Sequence, residues 1–115
     1  MRITERRIND VVVLELEGRL TIEDGAELLR DKVASVVFQG NSKVILSLAN
    51  VPYIDSGGLG QLVRCSMAAK KAEGAVKMIG LTTRVIDLLT ITKLIAVFDT
   101  YDTEAEALSS FMATA

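Results

Sequence analysis

One apolar run near the middle of the chain constrains the fold more than any other feature. Residues 44–48 (Val-Ile-Leu-Ser-Leu) are almost all apolar, which is typical of a strand covered on both faces. Pro52, the single proline of the chain, pushes the residue before it out of helical dihedral angles, so the strand must end there. A helical pattern begins three residues later. The stretch therefore predicts a buried strand, a turn and a helix.

The predicted helix starts at a pair of capping residues. Asp55 and Ser56 supply side-chain oxygens where a helix needs its first amides capped. The helix should run to about Lys71, with an apolar stripe on Leu59, Leu62, Val63, Ser66 and Met67. Unpaired amides and the helix dipole attract an anion at such a position. A plain turn with a serine or aspartate cap explains the same residues equally simply.

The rest of the chain alternates strand and helix patterns. Strands are predicted over residues 2–8, 11–17, 76–80 and 95–98, with a hairpin turn at Asn9-Asp10 between the first two. Helices are predicted from the N-cap Asp24 to the stop at Gly40-Asn41, from Thr82 or Thr83, and from Thr103. Their inward-facing residues are Ala26, Leu29, Val33, Val36 and Val37, then Val85, Leu88 and Leu89, then Ala105, Leu108, Phe111 and Met112.

The order of these elements, β-β-α-β-α-β-α-β-α, predicts the fold class. Interleaved strands and helices indicate an α/β layer with parallel crossovers, and the hairpin adds an antiparallel strand. We expect a single domain over residues 1–115 with a mixed, mostly parallel sheet and about four helices. Ligands and partners usually meet such sheets at the carboxyl ends of the strands, which is where Ser56 is placed.

Composition excludes most kinds of catalytic site. The chain has no histidine, no phosphate-binding GxxxxGK[ST] motif and no GxGxxG run, so we expect neither enzymatic activity nor a cofactor. Asp24, Asp55 and Asp87 each have a capping or solvated explanation, so no metal site is predicted. Few aromatic residues and a net charge of −2 argue against nucleic-acid binding.

Location and redox state follow from what the chain lacks. No apolar run approaches the ~20 residues that cross a bilayer, and the N-terminus has no signal-peptide pattern. Cys65 has no second cysteine to pair with, and its position near the stripe of the second helix predicts a buried structural thiol. We expect a cytoplasmic protein that does not insert into the membrane.

In element order and length the chain resembles the STAS domain family, in particular the stand-alone anti-sigma factor antagonists of bacteria. The resemblance covers nearly the whole chain. It depends on residues 12–20 (VVLELEGRL), on 46–48 followed by 51–60 (VPYIDSGGLG), and on 76–80 (VKMIG). The core Asp-Ser-x-Gly-Leu, in this context, is quite specific for the family.

The resemblance implies a switch that binds another protein. Ser56 corresponds to the family's phosphate acceptor, and its unmodified form should bind an anti-sigma factor that is also a serine kinase. That kinase would transfer phosphate from ATP, and a metal-dependent serine phosphatase would remove it. The implied partner-binding residues are Asp55, Ser56, Gly57, Gly58, Leu59, Thr21 and Asp24.

Two positions depart from the family's pattern, and two other functions stay open. Gly57 stands where relatives often carry serine or threonine, and Thr21 where several carry aspartate. One alternative is an accessory STAS subunit of a lipid or anion transporter. The other is a nucleotide or small-molecule sensor. Arg84 is predicted as a solvated charge, or as an anion contact if its helix end adjoins Ser56.

Overall fold

Five strands form one sheet in chain order in the computed structural model, which describes residues 1–112. Strand β1 pairs with β2 antiparallel, and β2 to β5 run parallel. The elements are β1 (Arg2–Ile8), β2 (Val11–Glu17), α1 (Ala26–Phe38), β3 (Lys43–Asn50), α2 (Ser56–Lys71), β4 (Ala75–Ile79), α3 (Thr83–Ile91), β5 (Asp99–Tyr101) and α4 (Glu104–Met112), with a short 3-10 turn at Leu94–Ala96. The predicted fold class and element order are confirmed.

The sheet is covered on both faces, which explains its apolar strands. Helices α1, α2 and α3 pack on one face around a core that includes Val12, Leu14 and Leu46. Helix α4 covers part of the other face, against the alternate residues Val13 and Ile45. Because successive side chains of a strand point to opposite faces, β2 and β3 need apolar residues in both directions.

Lys77 lies inside the smaller layer and links the sheet to α4. Its side chain is buried, and Nζ donates a hydrogen bond to Ser110 Oγ at 2.6 Å. The same Nζ lies 4.3 Å from the centre of the Phe111 ring, within the range of a cation–π contact. These contacts hold α4 on the face opposite α2.

The last strand lies after the apolar run that predicted it. Residues 95–98 are not a strand: α3 is followed by Lys93 in a left-handed conformation (φ 63°), and Leu94–Ala96 form the 3-10 turn. Phe98 is buried in the larger core, and the strand begins only at Asp99. Phe98 closes the edge of the core, with Leu94 and Ile95 partly buried against it, while Ala96 and Val97 are exposed.

Several predicted details of the helices are wrong. Asp24 does not cap α1; Gly25 occupies the cap position without a side-chain hydrogen bond, and Asp24 Oδ1 instead accepts from the Met1 amino group at 2.9 Å. Met67 is 56% exposed, because α2 buries Cys65 and Ala69 instead. In α4 the buried residues are Ala107 and Phe111, so Ala105 and Met112 face outward.

Other local predictions are confirmed. Thr82 caps α3 by accepting a hydrogen bond from the Val85 amide at 3.3 Å. Cys65 is buried, and this burial raises the pKa of its thiol to about 12, which keeps it neutral.

None of the helices in residues 1–112 combines the length and the apolarity that crossing a bilayer requires.

Candidate functional site

The site is built where β2 and β3 end side by side. Backbone pairing continues past the strands, since the Leu20 amide donates to Tyr53 O at 3.0 Å and the Asp55 amide donates to Leu20 O at 3.3 Å. The loop of residues 19–25 is therefore fixed against the segment that leads into α2. Backbone hydrogen bonds at strand ends give the site a rigid base.

The Asp55 carboxylate joins this loop to the helix. Its Oδ1 accepts from the Gly58 amide at 2.8 Å, which is the N-cap contact predicted from the sequence. Both carboxylate oxygens also accept from the Ile22 amide at 3.2 Å. The hydrogen bonds from Gly58 and Ile22 stabilise the ionised form and hold the pKa of Asp55 below its ordinary value.

Two glycines allow the loop to lie directly on the first turn of α2. A Cβ at Gly58 would lie 2.0 Å from Leu20 O, and a Cβ at Gly57 would lie 2.5 Å from Ile22 Cβ. The departure at position 57 therefore has a structural reason, because Ile22 fills the space that a serine or threonine side chain would need.

Ser56 is the first residue of α2 and its side chain is exposed. Its hydroxyl makes no hydrogen bond to any other residue in the part of the chain that the structure describes. The Ser56 hydroxyl is therefore accessible from solvent, and the backbone that carries it is held in place by the hydrogen bonds of Asp55.

The other sequence-predicted partner residues divide into two groups. Asp55, Gly57 and Gly58 lie with Ser56 in the helix start. Thr21 and Asp24 form their own turn in the facing loop, where Thr21 Oγ1 accepts from the Asp24 amide at 3.0 Å. Leu59 is only 6% exposed and packs in the main core, so it anchors the turn from below.

The exposed and charged neighbours of Ser56 were not predicted from the sequence. Ile22 is 73% exposed, and Tyr53 is 45% exposed just before the helix. A cleft of about 370 Å³ between α1 and α2 is bordered by Ile22, Arg30, Ser56, Gly60, Gln61 and Arg64. The spacing of Ser56, Gly60 and Arg64 at four and eight residues is a signal that would have indicated a shared helix face.

Arg84 borders a different cleft, together with Tyr53, Asp87 and Ile91. The cleft beside Ser56 does not include it. Within residues 1–112 no group of three or more histidine, cysteine, aspartate or glutamate side chains is arranged to hold a metal ion.

Gly58 and Gly60 predict opposite responses to the same substitution. Gly58→Ala forces the loop away from α2 and should lower the free energy of unfolding by about 1–3 kcal/mol, the usual cost of overpacking. Gly60→Ala has open space around the new Cβ and should raise it by ~0.5–1 kcal/mol. Urea unfolding of both variants measures the difference, and equal effects of the two would contradict this packing.

Because the pKa of Asp55 is lowered in the folded protein, the stabilisation that its carboxylate provides should be lost on acidification. Asp55→Ala should melt below wild type at pH 7, because the carboxylate that binds the Gly58 and Ile22 amides is gone. A carboxyl group whose pKa is lowered in the folded protein stabilises the fold above its ordinary pKa of about 3.9. This stabilisation is lost as the pH falls through the pKa of the folded state. The difference in Tm should therefore close on acidification.

Thermal unfolding followed by circular dichroism between pH 7 and about pH 2.5 tests this expectation. Glu23→Ala, which removes an exposed carboxylate from the same loop, serves as the matched control and should melt near wild type throughout. A gap between Asp55→Ala and wild type that stayed constant with pH would show that the carboxylate charge does not hold the site together.

Sequence comparison places the chain in a known family. The STAS domain family model matches residues 2–107. The anti-sigma-B factor antagonist of Bacillus subtilis is 34% identical over 91 residues, covering 79% of this chain and 81% of that protein.

Comparison with solved structures agrees. The crystal structure of TM1081 from Thermotoga maritima superposes with a TM-score of 0.89 at 28% identity, covering 96% of this chain and 94% of the other. The antagonist SpoIIAA in its unphosphorylated form shares the fold, with a TM-score of 0.72 at 21% identity over 95% and 96% of the two chains. With the family model and the B. subtilis relative matched over most of its length, the chain belongs to the STAS domain family, in its group of anti-sigma factor antagonists.

Proposed function

We propose that the chain is a partner-binding switch controlled by phosphorylation of Ser56. In its unmodified form it binds an anti-sigma factor that is also a serine kinase, and the phosphorylated form is released. The observation that carries the proposal is the exposed, uncommitted hydroxyl of Ser56 on a rigid helix start. The family to which the chain belongs supports the general role.

The modification is a phosphoryl transfer in which the kinase supplies the catalytic groups. Ser56 Oγ attacks the γ-phosphorus of ATP, forming a new O–P bond while the bond between that phosphorus and the β,γ-bridging oxygen breaks. ADP leaves with the bond's electrons, and the hydroxyl proton passes to a base of the kinase. The chain itself contributes position only and acts as a substrate and binding partner, not as an enzyme.

Phosphate at this point changes binding far more than folding. It adds about −1.5 to −2 charges and three acceptor oxygens. The helix dipole favours an anion at the start of α2, while the neighbouring Asp55 carboxylate opposes it. A partner docked over Ser56 would have to bury this dianion, which is costly unless the charge is paired.

The surface around Ser56 has the mixture of groups that protein interfaces use. Ile22 and Tyr53 offer exposed apolar area on either side of the helix start. We propose that the partner contacts Ser56, Gly57 and the Thr21–Asp24 turn, while Asp55, Gly58 and Leu59 support that surface from within. A serine phosphatase resets the switch.

This proposal also covers the location and extent of the switch. Because the kinase uses ATP, binding and phosphorylation take place in the cytoplasm, and residues 1–115 act as one domain. An accessory subunit of a transporter and a nucleotide or small-molecule sensor are the competing hypotheses, and neither requires a phosphate on Ser56.

The first test is the site of modification. Incubation with the anti-sigma factor serine kinase of the source organism and ATP, followed by peptide mass spectrometry, should find phosphate on Ser56. Ser56→Ala should remove the signal. Ser66 on the same helix is buried and serves as an internal control that stays unmodified. Modification that persisted in Ser56→Ala would contradict the proposal.

The second test is the effect of the phosphate on binding. Titration calorimetry with the same kinase should show that Ser56→Ala binds about as tightly as wild type. The phosphorylated protein should bind about 100-fold more weakly, because the dianion and its bulk occupy the surface on which the partner docks. Its circular dichroism spectrum should match that of the unmodified protein. Equal affinities, or a global change of fold, would rule out this mechanism.

A further inference from the structure

The cleft between α1 and α2 contains polar groups that nothing in the described chain uses. Gln61 is only 6% exposed and borders the cleft, and its enclosed Oε1 has no hydrogen-bond partner among residues 1–112. Arg64 is exposed, borders the same cleft, and likewise pairs with no residue of that range. The Arg64 guanidinium therefore has five uncommitted donors that lack an acceptor, whereas Gln61 Oε1 is an acceptor that lacks a donor.

Helix geometry directs Arg64 toward Ser56. The two residues lie eight positions apart, about 12 Å along the axis and roughly 80° around it, and both border the same cleft. Long side chains of a helix lean toward its N-terminus, so Arg64 extends in the direction of Ser56. The residue between them on that face is Gly60, where even a Cβ would meet nothing within 4 Å. The path along the helix surface is open.

A second arginine faces the cleft from α1. Arg30 is held only by exposed pairs with Glu27 at 3.3 Å and Asp31 at 3.1 Å, which are weak enough to exchange for a stronger anion. Glu27 also borders the cleft and opposes an anion there. Arg30 is therefore matched by two carboxylates, and Arg64 is the cation of this cleft that has no carboxylate partner among residues 1–112.

We propose that Arg64, assisted by Arg30, binds the phosphate of phosphorylated Ser56 in this cleft. The inference rests on the proposed modification of Ser56, and it identifies the side chains that bind the phosphate once it is attached to Ser56. A planar guanidinium binds two phosphate oxygens at once. The phosphate then has cationic neighbours that offset the repulsion from Asp55, and it fills the space into which a partner side chain would otherwise fit.

The experiment needs no kinase, because phosphoserine can be incorporated at position 56 during protein synthesis. The second pKa of the phosphate is followed by ³¹P NMR between about pH 4 and 8, around its ordinary value near 6. A nearby cation favours the dianion and lowers this pKa. Arg64→Gln should raise it by about half a unit relative to the otherwise unmutated phosphoprotein, and Arg30→Gln by less.

Two further variants make the result specific. Arg64→Lys keeps the charge and should retain most of the lowered pKa. Arg7→Gln removes the same charge from the opposite end of the sheet, next to the Asn9-Asp10 turn, and should leave the phosphate pKa unchanged.

The proposal is overturned if Arg64→Gln titrates like the unmutated phosphoprotein, or if Arg7→Gln shifts the pKa equally. Thermal unfolding of unmodified Arg64→Gln confirms that this exposed substitution leaves the fold intact. A kinase that failed to modify Ser56 would contradict the proposed function, whereas this titration would still report on the cleft.

Discussion

The geometry of the site depends on a single carboxylate that accepts hydrogen bonds from two directions. Asp55 receives the Gly58 amide of its own helix and the Ile22 amide of the facing loop. The first contact fixes where α2 begins, and the second fixes the loop over that beginning. Because both donors are backbone amides, the link needs no second side chain, although it needs glycine at positions 57 and 58 so that the loop can lie on the helix start. Ser56 is positioned by this arrangement and contributes nothing to it, so its hydroxyl stays available.

Glycine at positions 57 and 58 makes the arrangement nearly rigid. Backbone and side-chain atoms of the loop occupy the space where two Cβ atoms would stand, so loop and helix move together. A surface built this way has little freedom to change shape when a hydroxyl is modified. The switch that we propose at Ser56 would therefore act through charge and excluded volume, which a fixed surface transmits to a partner without any rearrangement of the core.

The parts predicted correctly from sequence are those that local pattern determines. Apolar runs covered on both faces identified β2 and β3, and the Asp55–Ser56 pair identified the start of α2. Prediction failed where tertiary contacts decide. Phe98 fills the edge of the core from a 3-10 turn and its exit and not from a strand, and Asp24 pairs with the Met1 amino group instead of capping α1. The role of Ile22 follows from a contact across 33 residues, and no local pattern reports such a contact.

Charge balance explains why the cleft and the carboxylate belong to one system. Before any modification, the Asp55 carboxylate already accepts the hydrogen bonds that hold the backbone of the helix start. Adding a dianion at the next residue would place two like charges side by side, and the helix dipole alone offsets only part of that repulsion. Arg64 has no pairing within the described chain and Arg30 has only exposed partners, so both can supply the missing positive charge without breaking a buried contact. Under the proposed mechanism Asp55 would stay ionised in both states of the switch, and the stability of the helix start would be separated from the chemistry that changes beside it.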